Sequence, residues 1–189
     1  MFKKVPPSKE WIVYDNNDIM RQKSQDLSFP LSIEDNDIIS KMTSYIDASY
    51  NNESKKYNIR PGIGIAAIQF GYPKKIIYIH FDEKEQEHKY LLANPKIISQ
   101  SFNKSFLSSS EGCLSVKKKW DGYSIRRAHI IVEAFDLFEN KTIRIKAKNL
   151  LSICLQHEID HLNGSFFYDK INKNNPLHKE EDWIEIKEH

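Results

Sequence analysis

The chain has 189 residues, of which 40% are hydrophobic and 29% are charged, as is usual for one globular domain with a substantial core. Its net charge of +2 is too small to indicate a nucleic-acid or membrane partner. The longest apolar runs fall well short of the roughly 20 residues that span a bilayer, and no apolar signal sequence follows the lysines of MFKKVPPSKEW. Two cysteines are too few for a disulfide framework. We therefore expect a single domain over residues 1–189, with free thiols, in the cytoplasm.

The first predicted element is a helix that follows a polar, turn-rich segment over residues 15–35. Asp35 is a candidate cap for this helix. Apolar side chains then recur at helical spacing on one face, at Ile38, Ile39, Met42, Tyr45, Ile46 and Tyr50. Residues 51–62 are predicted to form a loop that ends at Pro61-Gly62.

Short strands are predicted next, over 63–68, 75–81, 89–95 and 129–136, and the last should pair with 141–147 across a turn at Glu139-Asn140. Residues 149–163 form a second long helix. Trp183, Ile184 and Ile186 are candidates for a late strand in an otherwise polar tail. Helices on both sides of a strand-rich middle predict an α+β fold, with mixed or antiparallel sheets packed around a central helix.

The second long helix contains ICLQHEIDHL, residues 153–162, in which His157 and His161 lie one helical turn apart. Two imidazoles at this spacing can bind one metal ion, and Glu158 is placed to act as a general base. The alternative is an exposed helix face with two incidental histidines. The apolar flanks favour a buried helix, in which these polar side chains are costly unless they are paired or bound to a cation.

A catalytic metal site usually has three protein ligands, and the third is not obvious here. Downstream, Asp169 and His178 lack a suitable register. Upstream, SSSEGCLSV contains Cys113, although an arbitrary buried cysteine is more often a small core residue than a ligand. Cys154, within the helix, is interpreted as apolar packing that lines a pocket.

The segment PGIGIAAIQFG, residues 61–71, loosely matches a dinucleotide-binding glycine pattern. That motif requires an apolar strand before the glycines, whereas Pro61 and a polar loop precede them here. We therefore interpret the segment as a strand. Gln69 at its end is either a donor to an oxyanion or a surface turn residue.

Taken together, the chain resembles the peptide deformylases, which carry these three motifs in this order: GIGIAAIQ (62–69), EGCLS (111–115) and QHEIDHLNG (156–164). The long segment before residue 62 and the strand-like tail are similar to the second type of that family. The resemblance implies that Cys113, His157 and His161 hold one divalent metal ion. In the family this is usually Fe²⁺, and Zn²⁺, Ni²⁺ or Co²⁺ can occupy the same ligands.

The resemblance also implies a reaction: removal of the formyl group from the N-terminal formyl-methionine of nascent proteins. Water on the metal would be the nucleophile, Glu158 the general base and then acid, and Gln69 with the Leu114 N–H the oxyanion donors. The methionine pocket would be lined by Ile63, Leu150, Ile153 and Cys154. Gly64 and Gly112 would keep the carbonyl site cramped, and the peptide would add as a strand beside residues 62–64.

Nascent peptides, and through them the ribosome, are the expected partners, with no membrane and no specific nucleic-acid recognition. Lys117, Lys118 and Lys119 are interpreted as a solvated loop, and Asp160 with Arg126 as an ion pair either at the surface or behind the site. Two rival functions are a zincin-type metallopeptidase, which needs a downstream third ligand, and a deformylase-like binding module without activity.

Overall fold

A computed structural model describes residues 2–187, so the ends of the predicted 1–189 domain, Met1 and residues 188–189, lie outside the described part. The predicted single domain stays a prediction. The strands are β1 (Gly64–Ala66), β2 (Ile76–Glu83), β3 (Gln86–Gln100), β4 (Lys104–Leu107), β5 (Arg126–Arg127), β6 (His129–Asp136), β7 (Lys141–Lys148) and β8 (Ile184–Ile186). The helices are α1 (Ile33–Tyr50), α2 (Ser54–Tyr57) and α3 (Asn149–Leu162).

The main sheet is antiparallel, with five strands in the order β1-β2-β3-β6-β7. Helices α1 and α3 cover its two faces. Ile76 and Tyr78 of β2 belong to the apolar cluster on the α1 side, while Ile77 and Ile79 belong to the cluster on the α3 side. Burial on both faces explains why the first half of β2, residues 76–79, is an apolar run without polar alternation. The predicted α+β fold is confirmed.

Helix α1 begins three residues earlier than a cap at Asp35 would place its start. Ser32, and not Asp35, is the N-cap: its hydroxyl accepts a hydrogen bond from the Asp35 N–H, and the Asp35 carboxylate accepts one from the Ser32 N–H. This reciprocal capping box corrects the predicted role of Asp35. The predicted loop 51–62 also contains α2. Within residues 2–187, no helix is long and apolar enough to cross a membrane.

The predicted strand 63–68 is too long, because β1 ends at Ala66 and a 3₁₀ helix follows over Ala67–Phe70. The Gln69 side chain accepts a hydrogen bond from the Ala66 N–H at 2.8 Å, which stabilises this turn locally. By contrast, β3 extends well beyond the predicted 89–95. Its pairing with β6 shifts register between Ala93 and Lys96, where Pro95 has no N–H to donate.

A second, smaller sheet has the order β5-β4-β8. Strand β8 includes Ile184 and Ile186, as predicted, whereas Trp183 lies just before it. β8 pairs with β4 in parallel, and β5 pairs with β4 antiparallel. The sequence did not predict β4 or β5.

Helix α3 agrees with its predicted bounds to within one residue and is held firmly at both ends. At its start, the Leu150 N–H donates to the Glu83 carboxylate at 3.1 Å. Beyond its end, Gly164 adopts a left-handed conformation with φ of 70°. A Cβ on this glycine would lie 2.3 Å from the carbonyl oxygen of Arg21, so the N-terminal segment packs directly against the helix end.

Replacing Ser32 with alanine should lower the free energy of unfolding by about 1 kcal/mol, because the N-cap hydrogen bond of α1 is lost. Urea denaturation followed by circular dichroism measures the change. Ser28→Ala is the matched control, since Ser28 is exposed and caps no helix. Equal midpoints for the two variants would contradict the assigned cap.

Candidate metal centre

Three potential ligand atoms meet beside α3. His157 and His161 project from the same face of the helix, and their Nε2 atoms are 3.2 Å apart. The Sγ of Cys113, from the loop between β4 and β5, lies 3.2 Å from the His161 Nε2. The three ligand atoms all lie within 4.8 Å of one another. Over residues 2–187 this is the only such group of three or more histidine, cysteine or carboxylate side chains.

The other two candidates for a third ligand lie elsewhere. Asp169 forms an ion pair with Arg21, and the His178 Nε2 lies 3.7 Å from the Glu180 carboxylate in the polar tail. Of the sequence candidates, the fold therefore brings Cys113 alone to the two imidazoles. Cys154 lies in the same helix as part of the apolar core, and burial raises the pKa of its thiol.

A buried carboxylate orients the His157 ring. The Glu111 Oε2 lies 2.8 Å from the His157 Nδ1, and both carboxylate oxygens of Glu111 accept hydrogen bonds from Arg126, at 2.7 and 2.8 Å. Arg126 also contacts Asp160, at 2.6 Å. Only 2% of the Arg126 side chain is exposed, so the predicted Asp160–Arg126 pair lies behind the site and not at the surface.

No role for Glu111 was predicted from the sequence. The residue stands inside the EGCLS motif, and the signal that was available was a lone carboxylate two residues before the candidate thiol. A histidine ligand usually donates its second ring N–H to such a group, which leaves the other nitrogen directed at the metal. Glu111 is therefore the partner that a His157 ligand requires.

The electrostatics of the cluster follow from burial and this ion pair. Burial opposes the charge on Glu111, but the Arg126 charge and its hydrogen bonds outweigh burial and lower the Glu111 pKa to about 2. Burial likewise opposes a charge on His157, yet its contacts with Cys113 and Glu111 raise its pKa. Burial and the nearby positive charges lower the pKa of His161.

These donors fit a divalent transition-metal ion. One sulfur and two imidazole nitrogens are ligands that Zn²⁺ and Fe²⁺ accept, and all three belong to buried or nearly buried side chains. The fixed Nδ1 of His157 leaves its Nε2 directed at the other two ligand atoms. A bound cation would displace the protons that the free donors share.

Glu158 faces the same place without being one of the three donors. Its carboxylate is buried, and its Oε2 has no hydrogen-bond partner within the described residues. Burial raises its pKa to about 7, against the lowering effect of His157 and Arg126. A carboxyl group with a pKa near neutrality can both accept and return a proton.

Gly64 explains how the chain comes so close to this carboxylate. A Cβ on Gly64 would lie 2.7 Å from the Glu158 Oε1 and 3.0 Å from the Cys154 Sγ, so a larger residue here would push the Glu158 carboxylate from its position. Gly112 differs, since a Cβ there would meet no atom within 4 Å. Packing therefore does not require glycine at position 112, which weakens the expectation that Gly112 makes the site cramped.

Gln69 is 2% exposed, so the interpretation as a surface turn residue is wrong. Its Nε2 donates to the Ser115 hydroxyl at 3.0 Å and lies 3.7 Å from the Cys113 Sγ, which directs the amide toward the ligand cluster. Leu114 follows Cys113 directly and lines the same cavity.

A cleft of about 330 Å³ opens onto this cluster. Every residue predicted to bind the substrate lines this cleft: Ile63, Gly64, Gly112, Leu150, Ile153 and Cys154. The predicted chemical groups that line it as well are His157, Glu158, Gln69, Cys113 and Leu114. The lining also includes Arg60 and Leu107, which the sequence analysis did not select. The cleft is thus mainly apolar, with a few polar groups at one place.

Replacing Glu111 with glutamine should weaken metal binding by about 10- to 100-fold, because a neutral amide orients and polarises His157 less well. Competition between the protein and a chromogenic chelator for Zn²⁺ measures the affinity. Asp160→Asn is the matched control, since Asp160 contacts Arg126 but not His157. An equal loss in the two variants would mean that Glu111 acts only by holding Arg126.

Comparison with known proteins agrees with this site. The profile of the polypeptide deformylase family matches residues 9–176. The peptide deformylase of Malacoplasma penetrans is 57% identical over 186 residues, which cover 98% of this chain and 100% of that protein. The peptide deformylase of Mycoplasma genitalium is 50% identical over 177 residues, 94% of this chain and 92% of that protein.

Solved structures give the same result at lower identity. The crystal structure of peptide deformylase from Ehrlichia chaffeensis is similar with a TM-score of 0.70 and 28% identity, covering 91% of each chain. The same enzyme in complex with actinonin has a TM-score of 0.69 and 29% identity, covering 92% of each chain. Sequence and fold agree over nearly the whole length, and this chain therefore belongs to the polypeptide deformylase family.

Proposed function

We propose that this chain removes the formyl group from the N-terminal formyl-methionine of newly synthesised proteins and releases formate. The observation that carries the proposal is a buried carboxylate, Glu158, which has an unpartnered oxygen and lines the same cleft as Cys113 and His157, two members of the three-ligand cluster. Family membership supplies the reaction.

In this proposal Cys113, His157 and His161 hold one divalent metal ion. When bound, the ion supplies Lewis acidity, which polarises the formyl carbonyl and makes water acidic enough to attack near neutral pH. We propose Fe²⁺ as the native ion, with Zn²⁺, Ni²⁺ and Co²⁺ as alternatives that the same ligands accept.

Glu158 moves the proton. Its Oε2 accepts a proton from the attacking water and later delivers it to the amine nitrogen as the formamide C–N bond breaks. The burial of Glu158 limits exchange of this proton with bulk water between the two transfers. The raised pKa of Glu158 supports both roles.

Gln69 and Leu114 would stabilise the charge that develops on the carbonyl oxygen. The Gln69 Nε2 donates to the Ser115 hydroxyl and to the Cys113 Sγ, which holds its amide beside the ligand cluster, and the Leu114 backbone N–H lies one residue after the Cys113 thiol. Donors fixed in advance by the fold stabilise a transition state without reorganising.

The substrate would enter along β1, which pairs with β2 on one side only within the described chain. An extended peptide can therefore add as a strand beside residues 62–64. The methionine side chain would occupy the apolar part of the cleft, formed by Ile63, Leu150, Ile153 and Cys154. The close approach of Gly64 to Glu158 leaves little room, which favours a formyl group over the larger acetyl group.

The rival functions have less support. A zincin-type peptidase needs a downstream third ligand, and Asp169 and His178 both lie away from the imidazoles. A binding module would not need a complete set of ligands, base and oxyanion donors.

We further propose one domain over residues 1–189 in the cytoplasm, where Cys113 and Cys154 stay reduced and nascent chains leave the ribosome.

The first test separates the base from the ligands. Cys113→Ser and His157→Ala should lose both bound metal and activity, because each removes a ligand. Glu158→Ala should retain the metal and lose turnover, by a factor of about 100 or more. Metal content after anaerobic purification and formate release from formyl-Met-Ala are the two measurements.

If Glu158→Ala lost metal as completely as the ligand variants, Glu158 would be a ligand and its role as the base would be wrong. Cleavage of an internal peptide bond in place of formate release would favour the peptidase. Wild-type protein that binds metal but releases no formate would favour the binding module.

The second test concerns the oxyanion donor. Gln69→Ala should lower kcat by about 100- to 1000-fold, as the loss of one oxyanion donor typically does. The variant also loses the bond to the Ala66 N–H, so thermal unfolding must be measured alongside. Ser115→Ala is the control, because it removes a hydrogen bond to the Gln69 amide but not the amide itself. A Gln69→Ala enzyme with unchanged kcat would exclude Gln69 as a donor.

A further inference from the structure

The far half of the main sheet, formed by the end of β3 with β6 and β7, has a face that points away from α3. On the α3 side, alternate residues of β6 and β7 belong to the apolar core, namely Ile130, Val132, Ile145 and Ala147. The residues between them point to the opposite side. Helix α1 packs on that side against Ala93 and Phe135, but its apolar cluster does not extend farther along β6 and β7. We call the remaining surface the basic face, and it consists of Lys96, Ser99, His129, Ile131, Glu133, Arg144, Lys146 and Lys148.

The pairing of the strands brings cations and a hydroxyl together at one end of the basic face. Ile131 lies opposite Lys146 and also opposite Ser99, and His129 lies opposite Lys148. Lys146 and Lys148 are two residues apart on β7, so they point to the same side about 7 Å apart. A cavity of about 360 Å³ is lined by both lysines, His129 and Ser99. This concave place therefore offers several hydrogen-bond donors to one ligand.

The basic face is more positive than the chain as a whole. Four of its side chains are cationic and one is a carboxylate, whereas the whole chain has a net charge of +2. The Arg144 Nε pairs with the Glu133 Oε2 at 2.8 Å. In the part of the chain that the structure describes, Lys96, Lys146 and Lys148 form no ion pair. The small net charge thus conceals a local concentration of uncompensated lysines, which composition alone could not reveal.

Edge protection is the simpler explanation for part of this charge. Strand β7 is the last strand of the main sheet, and lysines on an edge strand commonly prevent pairing with another chain. That role requires charge but not a particular sign. It also does not account for Lys96, which lies on β3 within the sheet, or for the cavity beside Lys146 and Lys148.

We propose that the basic face binds the phosphate backbone of single-stranded RNA, independently of nucleotide sequence. Lysine ammonium groups and hydroxyls are common partners of phosphate oxygens. The spacing of Lys146 and Lys148 is comparable to that of successive phosphates along a strand. The basic face carries no Phe, Tyr or Trp on which bases would stack or that would anchor it in a lipid surface. The choice of RNA rests on the proposed function, since newly synthesised proteins emerge beside RNA.

The experiment measures fluorescence polarisation of a labelled oligouridylate of about 12 nucleotides, titrated with the full-length, metal-loaded protein at several salt concentrations. Three phosphate contacts predict a slope of about −2 for the logarithm of the affinity against the logarithm of the salt concentration. The double variant Lys146→Glu/Lys148→Glu should bind at least about tenfold more weakly at low salt and reduce the slope to about −1 or less. Its release of formate from formyl-Met-Ala should be unchanged, because neither lysine lines the catalytic cleft.

Lys117→Glu/Lys118→Glu is the matched control. It changes the net charge by the same amount at two exposed lysines of another loop, and it should retain most of the RNA affinity. Circular dichroism and size-exclusion chromatography establish that each variant is folded and keeps the wild-type oligomeric state. Because glutamate keeps β7 charged, the edge remains protected in the double variant of the basic face.

Three outcomes would overturn the inference. An equal loss of affinity in the two double variants would mean that RNA responds only to net charge. Wild-type protein without salt-dependent RNA binding would leave edge protection as the role of the β7 lysines. Polyglutamate or anionic vesicles that bind the basic face as tightly as RNA would assign it to an acidic protein or to a membrane. By contrast, RNA binding that depends on Lys146 and Lys148 without any formate release would support the basic face and refute the proposed function.

Discussion

The site depends on one buried interaction, the hydrogen bond between Glu111 and the His157 Nδ1. This bond determines which ring nitrogen of His157 faces Cys113 and His161. A lone carboxylate could not stay ionised in that interior, and Arg126 compensates it through two hydrogen bonds. Asp160, on the helix that carries both histidines, also contacts Arg126 and so joins the network to α3.

The double-sided main sheet makes this arrangement possible. Helix α3 packs against one face and α1 against the other. The polar side chains of the ligand cluster therefore lie within the apolar layer between α3 and the sheet, which also stabilises the fold. Strand β1 then brings Gly64 against Glu158, and the short 3₁₀ turn after it directs Gln69 toward Cys113. Each polar group is thereby held by an element whose position does not depend on a ligand.

Much of this could be predicted from the sequence, because the strongest signals are local. The helical spacing of His157 and His161 and the long apolar runs of β2 and β6 depend on residues close together in the chain. Strand β4 could not be predicted, since four residues that pair with the two-residue strand β5 and with β8 in the distant tail carry no periodic pattern. The sequence left the burial of Arg126 open for a similar reason: a charged residue is normally exposed, and its partner Glu111 is 15 residues away.

The short edge strand β1 also affects how a bound chain leaves. Exposed strand edges attract other chains, and proteins commonly limit that hazard by keeping them short. Three residues, Gly64–Ala66, offer too little backbone to nucleate an intermolecular sheet. The short strand also limits the number of main-chain hydrogen bonds that a bound peptide can form. An enzyme that acts on many different nascent chains would therefore bind each peptide weakly and release it quickly after the reaction.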